Sequence, residues 1–273
     1  MKYVLFILST VVFVSSLVTY SILYFNNVRN KTVITTPSVA NNLTLDEINL
    51  KDFLMENQPI VIGNRSAKVA IFEFYDPACP FSQMYYENTF PKIYENYIKT
   101  GKILYVDKEY PLVSLHGINA FKAAQYLRCV YVHAGEDAYL RAKNLTYLSK
   151  RKWYDAKGVN LTKALLNIYL DTEKIYNDIV DCYLNNETAS ATYYDVVKGR
   201  QLGVRGTPSF IIYVPRNLLS LEDKVEIEDH FNQIYNVTTY QIYEDRDGNY
   251  IIPLIGALPY SEFKFVLSRV LPS

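Results

Sequence analysis

Cysteine is scarce in this chain of 273 residues. There are three, Cys79, Cys129 and Cys182, too few and too far apart for the framework of a small disulfide-stapled domain. No Cys-x-x-Cys pair occurs. His116, His133 and His230 are the only histidines, and with the cysteines they show no zinc-ligand spacing, so no metal and no cofactor is expected. An excess of either charge is also missing: 28 Lys and Arg balance 28 Asp and Glu. Without a basic run or stripe, a nucleic-acid partner has no support. Trp occurs once and Met three times, whereas Tyr occurs 26 times, often in polar stretches such as Met84-Tyr85-Tyr86-Glu87. Tyrosine tolerates half-exposed positions, so these residues read as core and surface filler.

Charge is absent from Tyr3 to Phe25. An apolar helix of this length spans about 35 Å, enough for a hydrocarbon core of about 30 Å. Cleavable signals have shorter apolar regions followed closely by a small-x-small triplet. Here the nearest such triplet is Ser38-Val39-Ala40, well past the apolar end. Residues 1–25 are therefore expected to be an uncleaved transmembrane anchor rather than a signal peptide. Residues 26–45 read as a polar linker, and 46–273 as one large domain. Asn-x-Ser/Thr sites occur at Asn30, Asn42, Asn64, Asn144, Asn160, Asn186 and Asn236, more often than chance would place them. Such sites accept glycans only on the outer side of a membrane.

Past a short amphipathic helix at Leu45–Met55 and a strand at Pro59–Ile62, Val69–Tyr75 is a near-continuous run of β-branched and aromatic residues. It suits a strand buried on both faces, interrupted by Glu73. Phe81–Lys99 has helical spacing, with Pro91 expected to kink it. Lys102–Tyr110 is a second strand, completing a βαβ unit. From 114 to 202 the pattern is helical. Pro208–Val214 is a strand, 216–239 reads as a charged, irregular insertion, and its acidic run as a solvated helix face. Asp247-Gly248-Asn249 signals a hairpin, and Pro259–Val270 a closing amphipathic helix.

Cys79 follows the buried strand directly and opens the next helix, with Pro80 at its first position. Unpaired N–H groups and the partial positive charge of a helix N-terminus stabilise a thiolate, the reactive form. The alternative is an inert buried thiol. Three residues on, where a resolving cysteine would complete a dithiol, stands Ser82, whose hydroxyl is placed to donate to the Cys79 sulfur. A second element, Gly206-Thr207-Pro208-Ser209, sets a proline at the mouth of a strand, where it costs no ladder bond.

The run Phe72-Glu73-Phe74-Tyr75-Asp76-Pro77-Ala78-Cys79-Pro80-Phe81-Ser82, with Gly206-Thr207-Pro208-Ser209-Phe210, resembles the active site and cis-proline loop of DsbA-type thioredoxin-fold disulfide oxidoreductases. Glu109-Tyr110-Pro111-Leu112 with His116, and Gly256-Ala257-Leu258-Pro259-Tyr260, fit the same family. The likeness covers about 58–271. It implies an α/β thioredoxin fold with a helical insert at about 114–202. Cys79 would be the nucleophile, Ser82 its neighbour in the motif, and Glu73 a buried acid acting as proton relay. Pro80, Phe81, Thr207 and Pro208 would meet the substrate. Some family members carry a structural disulfide at positions like Cys129 and Cys182; the alternative is two buried thiols.

The expected function is extracytoplasmic thiol–disulfide exchange on proteins through one thiol, isomerase-like or monothiol. Substrates would be proteins bearing thiols or disulfides, with a redox partner in the membrane and lipid around the N-terminal helix. The alternative is a non-catalytic, chaperone-like module that holds extended peptides beside Pro208.

Overall fold

The computed structural model describes residues 44–167 and 173–272. The expected anchor at 1–25 and the sequons Asn30 and Asn42 lie outside the described residues. Among those described, no helix is long and apolar enough to cross a membrane.

Helix α1 (Leu50–Met55) starts at Asn49, whose side chain accepts from the Asp52 N–H at 3.0 Å, a standard N-cap. Strands β1 (Ile60–Gly63) and β2 (Val69–Tyr75) follow. Every residue of β2 is buried, because both faces of the sheet are covered. Helix α2 (Pro80–Asn88) and helix α3 (Phe90–Ile93), continued by a π-turn over Tyr94–Ile98, cross over to β3 (Ile103–Glu109). Pro91 does not kink a helix interior. The break falls at Thr89, and Pro91 sits in the first turn of α3, where its missing N–H costs nothing.

The helical insert comprises α4 (Val113–His116), α5 (Ile118–Leu148), α6 (Lys150–Trp153), α7 (Val159–Leu166), α8 (Glu173–Leu184) and α9 (Ala189–Gln201). Helix α5 is broken at Gly135, whose φ of +80° suits glycine alone. Strand β4 (Ser209–Val214) then returns to the sheet. The 216–239 stretch is not irregular. Most of it forms helix α10 (Leu221–Tyr235), capped by Ser220, with Ile227 and Phe231 buried one turn apart. That apolar pair, hidden between acidic residues, docks the helix. Strands β5 (Tyr243–Glu244) and β6 (Tyr250–Ile255) form the hairpin, and α11 (Tyr260–Val270) closes the fold.

The sheet order is β1-β3-β2-β4-β6-β5, with β2 and β3 parallel and the remaining pairs antiparallel. One face of β2 packs Val69, Ile71 and Tyr75 into the larger core with α2, α5 and α11; the other sends Ala70, Phe72 and Phe74 against α1 and α9. The insert is fastened to the sheet by buried charge. Arg128 of α5 binds Glu109 at 2.8 Å and also Asp195 of α9, and Asp195 is ion-paired with Lys108 at 2.5 Å. Two cations face two carboxylates, so no buried charge is left uncompensated. Two consequences of this order place the site. The end of β2 leads into α2 at Cys79, and Pro208 enters β4, the antiparallel neighbour of β2, beside Phe74.

Candidate active site

Cys79 is the N-cap residue of α2, with Pro80 behind it at the start of the helix. Its thiol is 5% exposed and donates to the Thr207 carbonyl at 3.2 Å. The Thr207–Pro208 peptide bond is cis. The Pro208 carbonyl accepts from Gly256 N–H at 2.9 Å, which ties the loop to the end of β6. The Thr207 hydroxyl is buried and has no hydrogen-bond partner among the described residues. Pro80 and Phe81 face solvent at the rim, Phe81 being 59% exposed.

Ser82 is fully buried, and its Oγ accepts from Asp76 N–H at 3.3 Å. The hydroxyl thus accepts from the strand–helix loop, and among the described residues it shares no hydrogen bond with the Cys79 sulfur. Asp76 is the hub of that loop. Its Oδ1 accepts from Ala78 N–H at 2.7 Å, while its Oδ2 accepts from Leu112 N–H at 2.8 Å and lies 2.7 Å from His116 Nδ1. One buried carboxylate so pins the loop carrying Cys79 to the start of the helical insert. Lys150 donates to the Ala78 carbonyl from the opposite flank. Sequence reasoning did not single out Asp76 or Lys150. An acid after a buried strand and before a cysteine is a visible signal for the first; nothing local marks the second.

Glu73 shares no hydrogen bond with Cys79. It lies opposite Asp107 in the β2–β3 register, two like charges side by side and wholly buried. Lys143 from α5 reaches both, at 3.1 Å to Glu73 and 2.8 Å to Asp107. Tyr105 donates to Glu73 at 3.0 Å and Tyr139 to Asp107 at 2.6 Å. Burial pushes the Glu73 carboxyl up to about 8, with Asp107 adding to the rise and Lys143 opposing it. Within this pair, Glu73 Oε1 and Asp107 Oδ1 have no donor among the described residues. With its carboxyl raised, Glu73 is held toward the protonated form, in which it has a proton to offer the unpaired oxygen of its neighbour. Burial also holds Tyr105 well above its ordinary value, so it donates as a neutral phenol.

Cys129 on α5 and Cys182 on α8 are joined by a disulfide with a Cα–Cα distance of 5.9 Å. Cys79 is the free cysteine.

A thioredoxin fold with a cysteine at the head of its first crossover helix, facing a cis-proline, defines the class of protein. The chain belongs to the thioredoxin family whose model matches residues 55–214. A Rickettsia typhi protein named as a protein-disulfide oxidoreductase is 26% identical over 161 residues, covering 59% of this chain and 56% of that protein. One from Rickettsia bellii is 34% identical over 58 residues, 21% of this chain and 22% of that one. The chain thus spans about half or less of the length of these curated relatives. Among solved structures, Wolbachia pipientis α-DsbA1 superposes with a TM-score of 0.55 at 21% identity, covering 83% of this chain and 96% of that one. Pseudomonas aeruginosa DsbA2 gives a TM-score of 0.51 at 17% identity, covering 77% and 91%. These likenesses show the DsbA fold with its helical insert.

Proposed function

We propose that this chain is a thiol–disulfide oxidoreductase that works through one thiol on proteins outside the cytoplasm. The observation that carries the reading is the pairing of Cys79 with the Thr207 carbonyl and cis-Pro208 at the head of α2. The Cys79 thiolate attacks a substrate disulfide, forming a mixed disulfide and releasing one substrate thiolate. With Ser82 in place of a second cysteine, the mixed disulfide is broken by a different thiol of the substrate, while the freed one pairs elsewhere, or by an external thiol. Either attack returns Cys79 as the leaving group. The first route rearranges substrate bonds; the second reduces them.

An outward-facing location is supported by the Cys129–Cys182 bridge, a bond that persists in oxidising compartments. It is supported as well by the sequons Asn64, Asn144, Asn160, Asn186 and Asn236, whose asparagines are all exposed. In this reading 1–25 tethers the domain to lipid, and a redox partner in the membrane sets the state of Cys79.

The test is recovery of a scrambled disulfide protein in a thiol buffer. The chain is expected to accelerate recovery and Cys79→Ser to abolish the effect. Ser82→Cys is expected to add thiol-independent oxidation by supplying the resolving thiol. Peptide binding without any catalysed exchange, unchanged in Cys79→Ser, would establish the chaperone-like module instead.

A further inference from the structure

The Cys129–Cys182 bridge lies in a cluster of side chains that the thiol chemistry of Cys79 does not use. His133 follows Cys129 by four residues on α5, which places both on one face of the helix. Glu187 follows the end of α8, its N–H bonded to the Cys182 carbonyl at 3.1 Å. A ring nitrogen of His133, the Cys182 sulfur and a carboxylate oxygen of Glu187 all lie within 4.8 Å of one another. The Cys129 sulfur is bonded to that of Cys182 at 2.04 Å and lies 3.4 Å from the Thr188 hydroxyl, one bond away from the group. The two sulfurs are buried, while His133 and Glu187 are exposed. Neither of the latter side chains has a hydrogen-bond or ion-pair partner among the described residues. One sulfur from the core side, that of Cys182, and an imidazole and a carboxylate from the solvent side therefore converge, and opening the bridge would free the Cys129 sulfur beside them.

We propose that this junction is a redox-gated zinc site. A dithiol opens the bridge: it gives two electrons and two protons to Cys129 and Cys182 and itself becomes a disulfide. Zn²⁺ then displaces the two thiol protons and is held by two thiolates, the His133 nitrogen and the Glu187 carboxylate. Cysteine, histidine and carboxylate are the ligand types zinc takes, at about 2.3 Å to sulfur and about 2.0–2.2 Å to nitrogen and oxygen. Neighbouring ligand atoms of such a tetrahedron lie roughly 3.3–3.8 Å apart, so the surface ligands close inward slightly while the sulfurs separate. The metal and the disulfide are alternative closures of one junction. When reduced, α5 and α8 stay clipped together by the ion, and the coordinated thiolates are withheld from reoxidation. This inference stands apart from the role of Cys79.

Co²⁺ added to the full chain tests it. The chain carries Cys79→Ser, so that the bridging pair are its only thiols, and is reduced with a water-soluble phosphine without oxygen. One equivalent is expected to give thiolate-to-cobalt charge-transfer bands in the near ultraviolet and the visible bands of a tetrahedral ion. Zn²⁺ should bleach them, and the oxidised chain should show neither. Loss of a second-shell partner costs metal sites about 10–100-fold in affinity, and loss of a ligand should cost no less. His133→Ala and Glu187→Ala are each expected to weaken cobalt at least tenfold. Any of three results would overturn the proposal: no charge-transfer bands in a reduced chain of native circular dichroism, unchanged affinity in both variants, or loss of native circular dichroism on reduction with metal present.

Discussion

Glu73→Gln separates two accounts of the buried acid pair. If a proton already sits between Glu73 and Asp107, glutamine copies the protonated state. Its amide donates to Asp107 Oδ1 while its carbonyl accepts from Tyr105 and Lys143, replacing the bonds seen. The substitution should then cost less than about 1 kcal/mol at pH 6, the scale of one imperfect neutral hydrogen bond. If Glu73 were ionised and paired with Lys143, removing its charge would cost about 3–5 kcal/mol. The pH dependence gives the second readout. The folded carboxyl sits near 8, against an ordinary 4.5 in the unfolded chain. Between those values the folded state holds a proton that the unfolded state has lost, so this group's contribution is full below 4.5 and falls as pH rises through 8. At about 1.4 kcal/mol per pH unit the interval corresponds to on the order of 5 kcal/mol. Urea unfolding of the oxidised chain from pH 5 to 8.5 should show the wild type losing stability relative to Glu73→Gln across that range. Parallel profiles, or a cost above about 3 kcal/mol at pH 6, would refute the shared proton.

Asp76→Ala strips the acceptor from Ala78 N–H, Leu112 N–H and His116 at once. We expect a loss of about 3 kcal/mol or more, read from the denaturant midpoint, and faster proteolysis within 111–117. Gly199→Ala would place a Cβ 2.6 Å and 2.8 Å from the Tyr110 ring and 3.0 Å from Phe74. Both rings are buried, and Tyr110 is held by its bond to the Val204 carbonyl. Overpacking of this kind costs about 1–3 kcal/mol, so a melting point several degrees lower is expected.

Features that depend on neighbours along the chain were legible in the sequence. The β2–α2 junction, the proline at the mouth of β4, the hairpin at Gly248 and the closing helix each carry local chemistry that fixes them. The 216–239 stretch misled because Ile227 and Phe231 stand among Glu, Asp, Asn and Gln, and two apolar residues one turn apart are a weak stripe until Tyr235 and Tyr240 pack on Phe231. Ser82 read as a donor to the thiol because the four-residue motif sets the two close; what the fold adds is that its oxygen accepts from the Asp76 backbone N–H. Lys143, Asp107, Arg128 and Asp195 gave no signal at all. Each is a charged residue on a strand or helix, and only the docking of α5 and α9 on the sheet buries them against opposite charges. His133 and Glu187 likewise meet Cys182 only in the fold.

The central claim is that one thiol, Cys79, forms and then surrenders a mixed disulfide with substrate. Intact-mass measurement of the full chain mixed with excess of a disulfide-linked dimer of a single-cysteine peptide, whose freed half leaves the adduct with no attached thiol, tests it directly. The account predicts an adduct at Cys79 that persists for lack of a second thiol and disappears on adding an external thiol, with the Cys129–Cys182 bridge intact throughout. An unmodified Cys79, or an adduct that resolves within the chain without added thiol, would contradict it.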